Sequence, residues 1–145
     1  MACRIEVSGD ARLPFIYSVS AHVGPGQANQ PDDVELVQFL MAETLKRQTS
    51  SNLRIRSPVP QVTRAFDLMT GFWIYELENV LVSKLEGQLD GIVSPVRGHR
   101  LHFAEGKYWL IAALNLQIKL VAPTVFAGIP DNPQLSATLR ASIRR

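Results

Sequence analysis

The residues of this chain best suited to chemistry are its histidines, its paired carboxylates, one cysteine and one glycine-rich turn. His99, His102 and Glu105 form an H-x-x-H-x-x-E series. Imidazoles three apart on a helix share a face and can hold a metal ion. Here Gly98 interrupts the segment, and Arg97 and Arg100 place positive charge beside the rings. Surface histidines are therefore expected, and no metal. His22 is the right type for a general base, but no nucleophile stands near it in sequence, so an interior polar partner is expected instead. Cys3 lies beside Arg4, and a neighbouring cation lowers a thiol's pKa. As the single cysteine it reads as an ordinary terminal thiol and permits no internal disulfide.

Glu76 and Glu78 lie two apart and so point to different sides of a helix, which rules out a close acid–base pair made by those two alone. A glycosidase needs two carboxylates across a cleft, and thirteen acidic residues allow too many pairs for any one to be informative. Phe72, Trp73 and Tyr75 can stack on a sugar or a peptide; the expectation is that Trp73 fills the core and Tyr75 lies at its edge. Gly24-Pro25-Gly26 precedes a helix, as phosphate-binding loops do. Its proline removes an amide donor, however, and no Gly-Lys-Ser/Thr follows, so it reads as a strand-to-helix turn. No nucleophile, base and orienting group occur together in a recognisable pattern. The expectation is a protein that is not an enzyme and needs no cofactor.

Positioning elements can be read around these residues. Residues 4–8 and 15–21 alternate or are rich in β-branched and aromatic side chains, which predicts two strands joined by a turn over 9–14. Pro31 suits a first helical turn, Asp32 and Glu35 fit a capping box, and Val34, Val37, Leu40, Met41 and Leu45 form one apolar stripe. Residues 48–60 read as a loop and 61–69 as a short helical piece. A second helix is predicted over 72–86, with Trp73, Leu77, Val80, Leu81 and Leu85 on one face and Gly87 as its cap. Asp90-Gly91 is a tight turn. A third helix is expected over 107–120, a loop punctuated by Pro123, Pro130 and Pro133, and a last amphipathic helix over 134–145 through Leu135, Leu139 and Ile143. No internal repeat is evident.

With 145 residues, 46% apolar and 19% charged, the chain can bury the core of one domain. A net charge of +2 gives no ground for nucleic acid as a partner. The longest apolar stretches, such as 109–114, are far short of a membrane span. Met1–Ser8 carries charges and lacks an apolar signal region. Synthesis in the cytoplasm is expected, with periplasmic or extracellular placement only by a non-classical export route.

The segment Asn29-Gln30-Pro31-Asp32-Asp33-Val34, with Leu36-Val37-Gln38 and Leu40, resembles the first helix of peptidoglycan-binding-like domains. Thr70, Trp73-Ile74 and Leu77-Glu78 stand where that family's middle helix carries its threonine, apolar pair and Phe-Gln. Asp90-Gly91-Ile92-Val93-Ser94-Pro95 is a close copy of the family's Asp-Gly-Ile/Val-Val-Gly-Pro, with Ser94 for the glycine. Ser18 to Gly26 is similar to the lead-in of stand-alone bacterial proteins of this type, which occur near contractile-secretion or phage-like genes. The resemblance covers about residues 18–100. Two features depart from it: residues 61–69 lack the family's Asp-Gly-x-Phe-Gly turn, and Leu77-Glu78 replaces Phe-Gln.

The resemblance implies a mainly α, α+β single domain over 1–145. Its three-helix core would occupy 18–100, with an N-terminal β-hairpin or arm and a helical extension over 101–145. It implies a non-enzymatic bacterial binding module for peptidoglycan of the cell wall, with Tyr75, Asp90, Arg97 and His99 as binding residues. The alternative is an adaptor, accessory or immunity-type protein of a secretion or phage-like system that binds a protein partner.

Overall fold

The structure, a computed structural model, describes residues 1–47, 58–81, 89–96 and 109–144. It is an α+β fold: a two-stranded hairpin, then helices that share one hydrophobic core. The strands β1 (Cys3–Glu6) and β2 (Phe15–Ser18) pair antiparallel, with Cys3 opposite Ser18 and Glu6 opposite Phe15. Both are shorter than the sequence suggests. Beyond Ser18 the backbone leaves the ladder because Asp33 of the first helix accepts the Ser20 and Ala21 amides at 2.9 and 3.0 Å. The hairpin turn is closed by Asp10, which accepts from the Arg12 amide and guanidinium; that contact holds the Asp10 carboxyl below its ordinary range.

Helix α1 (Pro31–Arg47) starts where expected but is not a surface helix with one apolar stripe. Every residue from Asp33 to Thr44 is buried, because β2 and three other helices surround it. The expected capping box is absent. Pro31 is the first helical residue, the Gln30 carbonyl accepts the Val34 amide, and the carboxylates of Asp32 and Glu35 point to other elements.

Helix α2 (Leu68–Leu81) begins four residues before the predicted start, and no helix precedes it within 61–67. Asp67 starts it: its carboxylate accepts the Thr70 amide and hydroxyl, both at 2.7 Å. A carboxylate there also meets the positive helix end. Trp73, Ile74 and Leu77 face the core, and truncating such a side chain to alanine costs about 3 kcal/mol. The predicted positions 82–87 lie outside the described residues.

Helix α3 (Leu110–Val121) carries one fully buried polar residue, Asn115. Its amide accepts from the Tyr17 N–H at 2.8 Å and donates to the Tyr17 carbonyl at 2.9 Å. It thus satisfies the free edge of β2 as a third strand would. The proline-punctuated stretch after it is not a loop. Pro123 opens helix α4 (Pro123–Ala127) and Pro130 lies in a 3-10 turn (Ile129–Asp131), both at first-turn positions where a missing N–H costs nothing. Helix α5 (Ala137–Ile143) is shorter than predicted and is capped by Ser136. Its Leu139 and Ile143, with Leu135 before it, are buried as the sequence pattern requires.

Candidate functional site

Two turns are built alike around the buried helices. In the first, Gln38 of α1 accepts the Thr63 and Arg64 amides at 2.9 and 3.0 Å. Its own amide donates to Thr63 Oγ1, Thr70 Oγ1 and the Ala65 carbonyl. Arg64 is left-handed, with φ +68°. In the second, Glu78 of α2 accepts the Gly91 amide at 2.9 Å, and Gly91 is left-handed, with φ +72°. Each turn also closes on itself two residues on: Ala65 donates to Thr63 Oγ1 and Ile92 donates to Asp90 Oδ1. Backbone amides facing a core need partners, and here one helix-borne side chain supplies them at each turn. This pairing explains why 61–67 is not helical, since Gln38 takes amides that a helix would use. It also reveals a structural repeat that the amino-acid pattern hides.

Glu78 is 3% exposed. Burial pushes its carboxyl up to about 7, and the neighbouring Asp90 carboxylate adds to the shift; the Gly91 and Ile92 amides oppose it. Burial disfavours the ionised form, as does a like charge nearby. A protonated Glu78 presents one donor and one acceptor, as an amide does. It can donate to Asp90 while accepting from Gly91.

The second turn is joined to the segment before α1. Val23 and Val93 form an antiparallel bridge, with reciprocal N–H···O bonds of 3.0 and 2.8 Å. Beside it His22 Nδ1 lies 3.0 Å from Ser94 Oγ. That contact supplies the polar partner expected for His22. It also places a hydroxyl beside the ring, which a separation of 72 positions concealed. The His22–Ser94 contact lies beside the Val23–Val93 bridge and ties the two segments together. Gly24 lies so close that a Cβ there would sit 2.8 Å from the Gly91 carbonyl oxygen. Glycine at position 24 is thus a packing requirement, not a phosphate cradle.

The first turn is tied to the C-terminal helix by charge. Arg64 bridges Asp32 at 2.8 Å and the buried Glu35 at 3.0 Å. Glu35 also accepts the Ser136 hydroxyl at 2.7 Å, and Asp32 accepts from Thr138. These carboxylates, read from sequence as a cap, link three separate elements.

The outer side of α2 is different. Leu68 is 93% exposed and Tyr75 49%. With Phe72, also exposed, they follow the spacing i, i+4, i+7 and form one row. Met69 lies beside them, and Phe72 packs edge-on against the buried Trp73 ring. Next to the first turn of α2 is an open groove of about 230 Å³, lined by Pro58, Val59, Pro60, Thr63 and Met69. Its wall is fixed because Trp73 Nε1 donates to the Pro58 carbonyl at 2.8 Å.

Of the binding residues expected from sequence, Tyr75 is on this exposed row and Asp90 is exposed at the second turn. Arg97 and His99 lie outside the described residues, as do His102 and Glu105. Cys3 is in β1, and burial pushes its thiol up, opposite to what a reactive thiolate requires. Among the described residues no group of three or more His, Cys, Asp or Glu could hold a metal ion. No helix among them is long and apolar enough to cross a membrane. The sequence placed Trp73 in the core, where it is buried, and Tyr75 at the edge, where it is half exposed, but it did not show the contacts that Gln38, Arg64 and Ser94 make. For Gln38 the only signal was a polar residue inside an apolar helix. Comparison with family models, curated proteins and solved structures finds no match for this chain.

Proposed function

We propose that this chain is a non-catalytic binding module whose scaffold resembles that of peptidoglycan-binding-like domains and whose exposed surface serves a protein partner. The observation that carries this reading is the apolar row on α2. Leu68, Met69, Phe72 and Tyr75 stand in solvent on a helix whose opposite side is core. Exposed apolar side chains in a contiguous patch mark interaction sites. Gln38 and Glu78 are occupied in holding turns, and Asn115 in holding the edge of β2. That arrangement supports binding rather than chemistry. Two left-handed residues support the resemblance: Gly91 in Asp90-Gly91, and Arg64 within 61–69, the stretch where the resemblance calls for a turn.

A second reading, binding of peptidoglycan, is favoured by one observation. Tyr75 and Phe72 offer rings for sugar stacking, and the groove beside them has polar Gln61, Thr63 and Asp67 along its lining.

Co-sedimentation with purified cell-wall sacculi, run beside affinity capture with wild-type protein and the Phe72→Asp variant, tests the proposal. The expected result is no retention on sacculi above a control protein, and a captured protein that the variant does not hold. Retention on sacculi with no variant-sensitive protein would replace the proposal with the wall-binding reading.

A further inference from the structure

Resting on the protein-partner reading, we infer that the outer face of α2 docks a basic amphipathic helix, one with an apolar stripe bordered by lysine or arginine. The apolar row gives the stripe its counterpart, and helix-in-groove recognition uses anchors at this i, i+4, i+7 spacing. The groove beside Met69, about 230 Å³ in volume, has room for one large apolar side chain as an anchor.

Charge selects the occupant. Helix α2 contains no lysine, arginine or histidine, and two acidic residues, Asp67 and Glu76, flank its exposed row. Asp67 lies at the N-terminal end, where its hydrogen bonds to Thr70 hold the carboxyl below its ordinary range and keep it ionised. Glu76 is one turn beyond Phe72 and partly exposed. The chain as a whole is net positive by two charges, so this acidic border runs against the bulk charge. It disfavours an anionic lipid surface, and it disfavours a second copy of the same face, which would set acid against acid.

The test is a titration of the full-length, ¹⁵N-labelled chain with two synthetic helical peptides of ~18 residues. One carries leucine on one face with lysine borders; the other carries glutamate in place of lysine. Shifts confined to the amides of Val59, Gln61, Val62 and Thr63 and of α2, with the lysine peptide at least about tenfold tighter and weakened by added salt, are expected. Leu68→Lys and Phe72→Lys, both at exposed positions, should each weaken the lysine peptide by about tenfold while leaving other amide shifts unchanged. Equal binding of the two peptides, shifts elsewhere, or no shift overturns the inference. Concentration-dependent shifts of the same amides without peptide overturn it in favour of a second copy. Soluble muropeptide is the third arm. If it alone moves the α2 amides, the inference and the protein-partner reading both fail and wall binding stands. If no ligand moves them but affinity capture still yields a Phe72-sensitive protein, only the partner's assigned chemistry fails.

Discussion

The turn at Thr63–Phe66 and the turn at Asp90–Val93 share a backbone shape and a hydrogen-bond plan, yet opposite choices were made at two positions. The first turn is held by an amide, Gln38, and has arginine in the left-handed position. The second is held by a carboxyl, Glu78, and has glycine there. An amide is neutral at every pH, so the first turn is held unconditionally by its helix. A buried carboxyl accepts the Gly91 amide in either form, but burial makes its ionised form costly, so the stability of the second turn depends on pH. For the left-handed residue the trade is reversed. Gly91 adopts φ +72° without a Cβ penalty. Arg64 bears that penalty, and its guanidinium offsets it by joining Asp32 and Glu35.

The comparison can be broken most forcefully at Gln38. Gln38→Leu removes the partner of two part-buried amides and of the buried Thr70 hydroxyl, three bonds at once, so a loss of about 4 kcal/mol is expected in denaturant unfolding. A loss below about 1 kcal/mol would show that the first turn is held by other means.

Glu78→Gln converts the second turn to the plan of the first. The folded-state value of about 7 lies above the ordinary 4.5, so the folded protein holds a proton that the unfolded chain releases between those pH values. Stability therefore falls as pH rises through that window, and the penalty is complete above about pH 7. The variant should be more stable than wild type by about 3 kcal/mol at pH 8 and nearly equal to it near pH 4.5. A pH-independent difference in chemical denaturation would contradict this assignment.

Gly24→Ala tests how the second turn is buttressed. The new Cβ would meet the Gly91 carbonyl oxygen at 2.8 Å, a backbone atom with little room to move. A loss of about 2 kcal/mol is expected from thermal unfolding, with the Val23–Val93 amides exchanging faster.

The smallest effect separates backbone from charge at Arg64. Arg64→Ala loses the ion pairs and keeps the left-handed strain; Arg64→Gly loses the same pairs and relieves it. The glycine variant should be the more stable of the two by about 1 kcal/mol. Equal stabilities would mean that the backbone at 64 relaxes.

These differences also explain what could be read from the amino acids. The Asp90-Gly91 turn was legible because glycine announces a left-handed residue. Its counterpart was not, because arginine at 64 carries no such signal, and 61–69 read as helix. The start of α1 was legible from Pro31, but its carboxylates were assigned to a cap when they reach residues 32 and 101 positions away. Glu78 read only as a neighbour of Glu76 and as the replacement for a family glutamine, because nothing local shows that its oxygen meets Gly91. Trp73 and Tyr75 were assigned to core and edge because helical periodicity is a local property. Side chains that join distant segments, such as His22 with Ser94 and Asn115 with Tyr17, leave no periodic trace.

The central claim is that Gln38 and Glu78 do one structural job, so that the polar interior is committed to the scaffold and the surface of α2 is left for binding. A ¹³C NMR titration of the Glu78 side-chain carboxyl in the folded protein tests it most directly. The account predicts a midpoint near 7, with the Gly91 amide resonance moving over the same range. A midpoint at the ordinary value of 4.5, with the Gly91 amide unmoved, would contradict it.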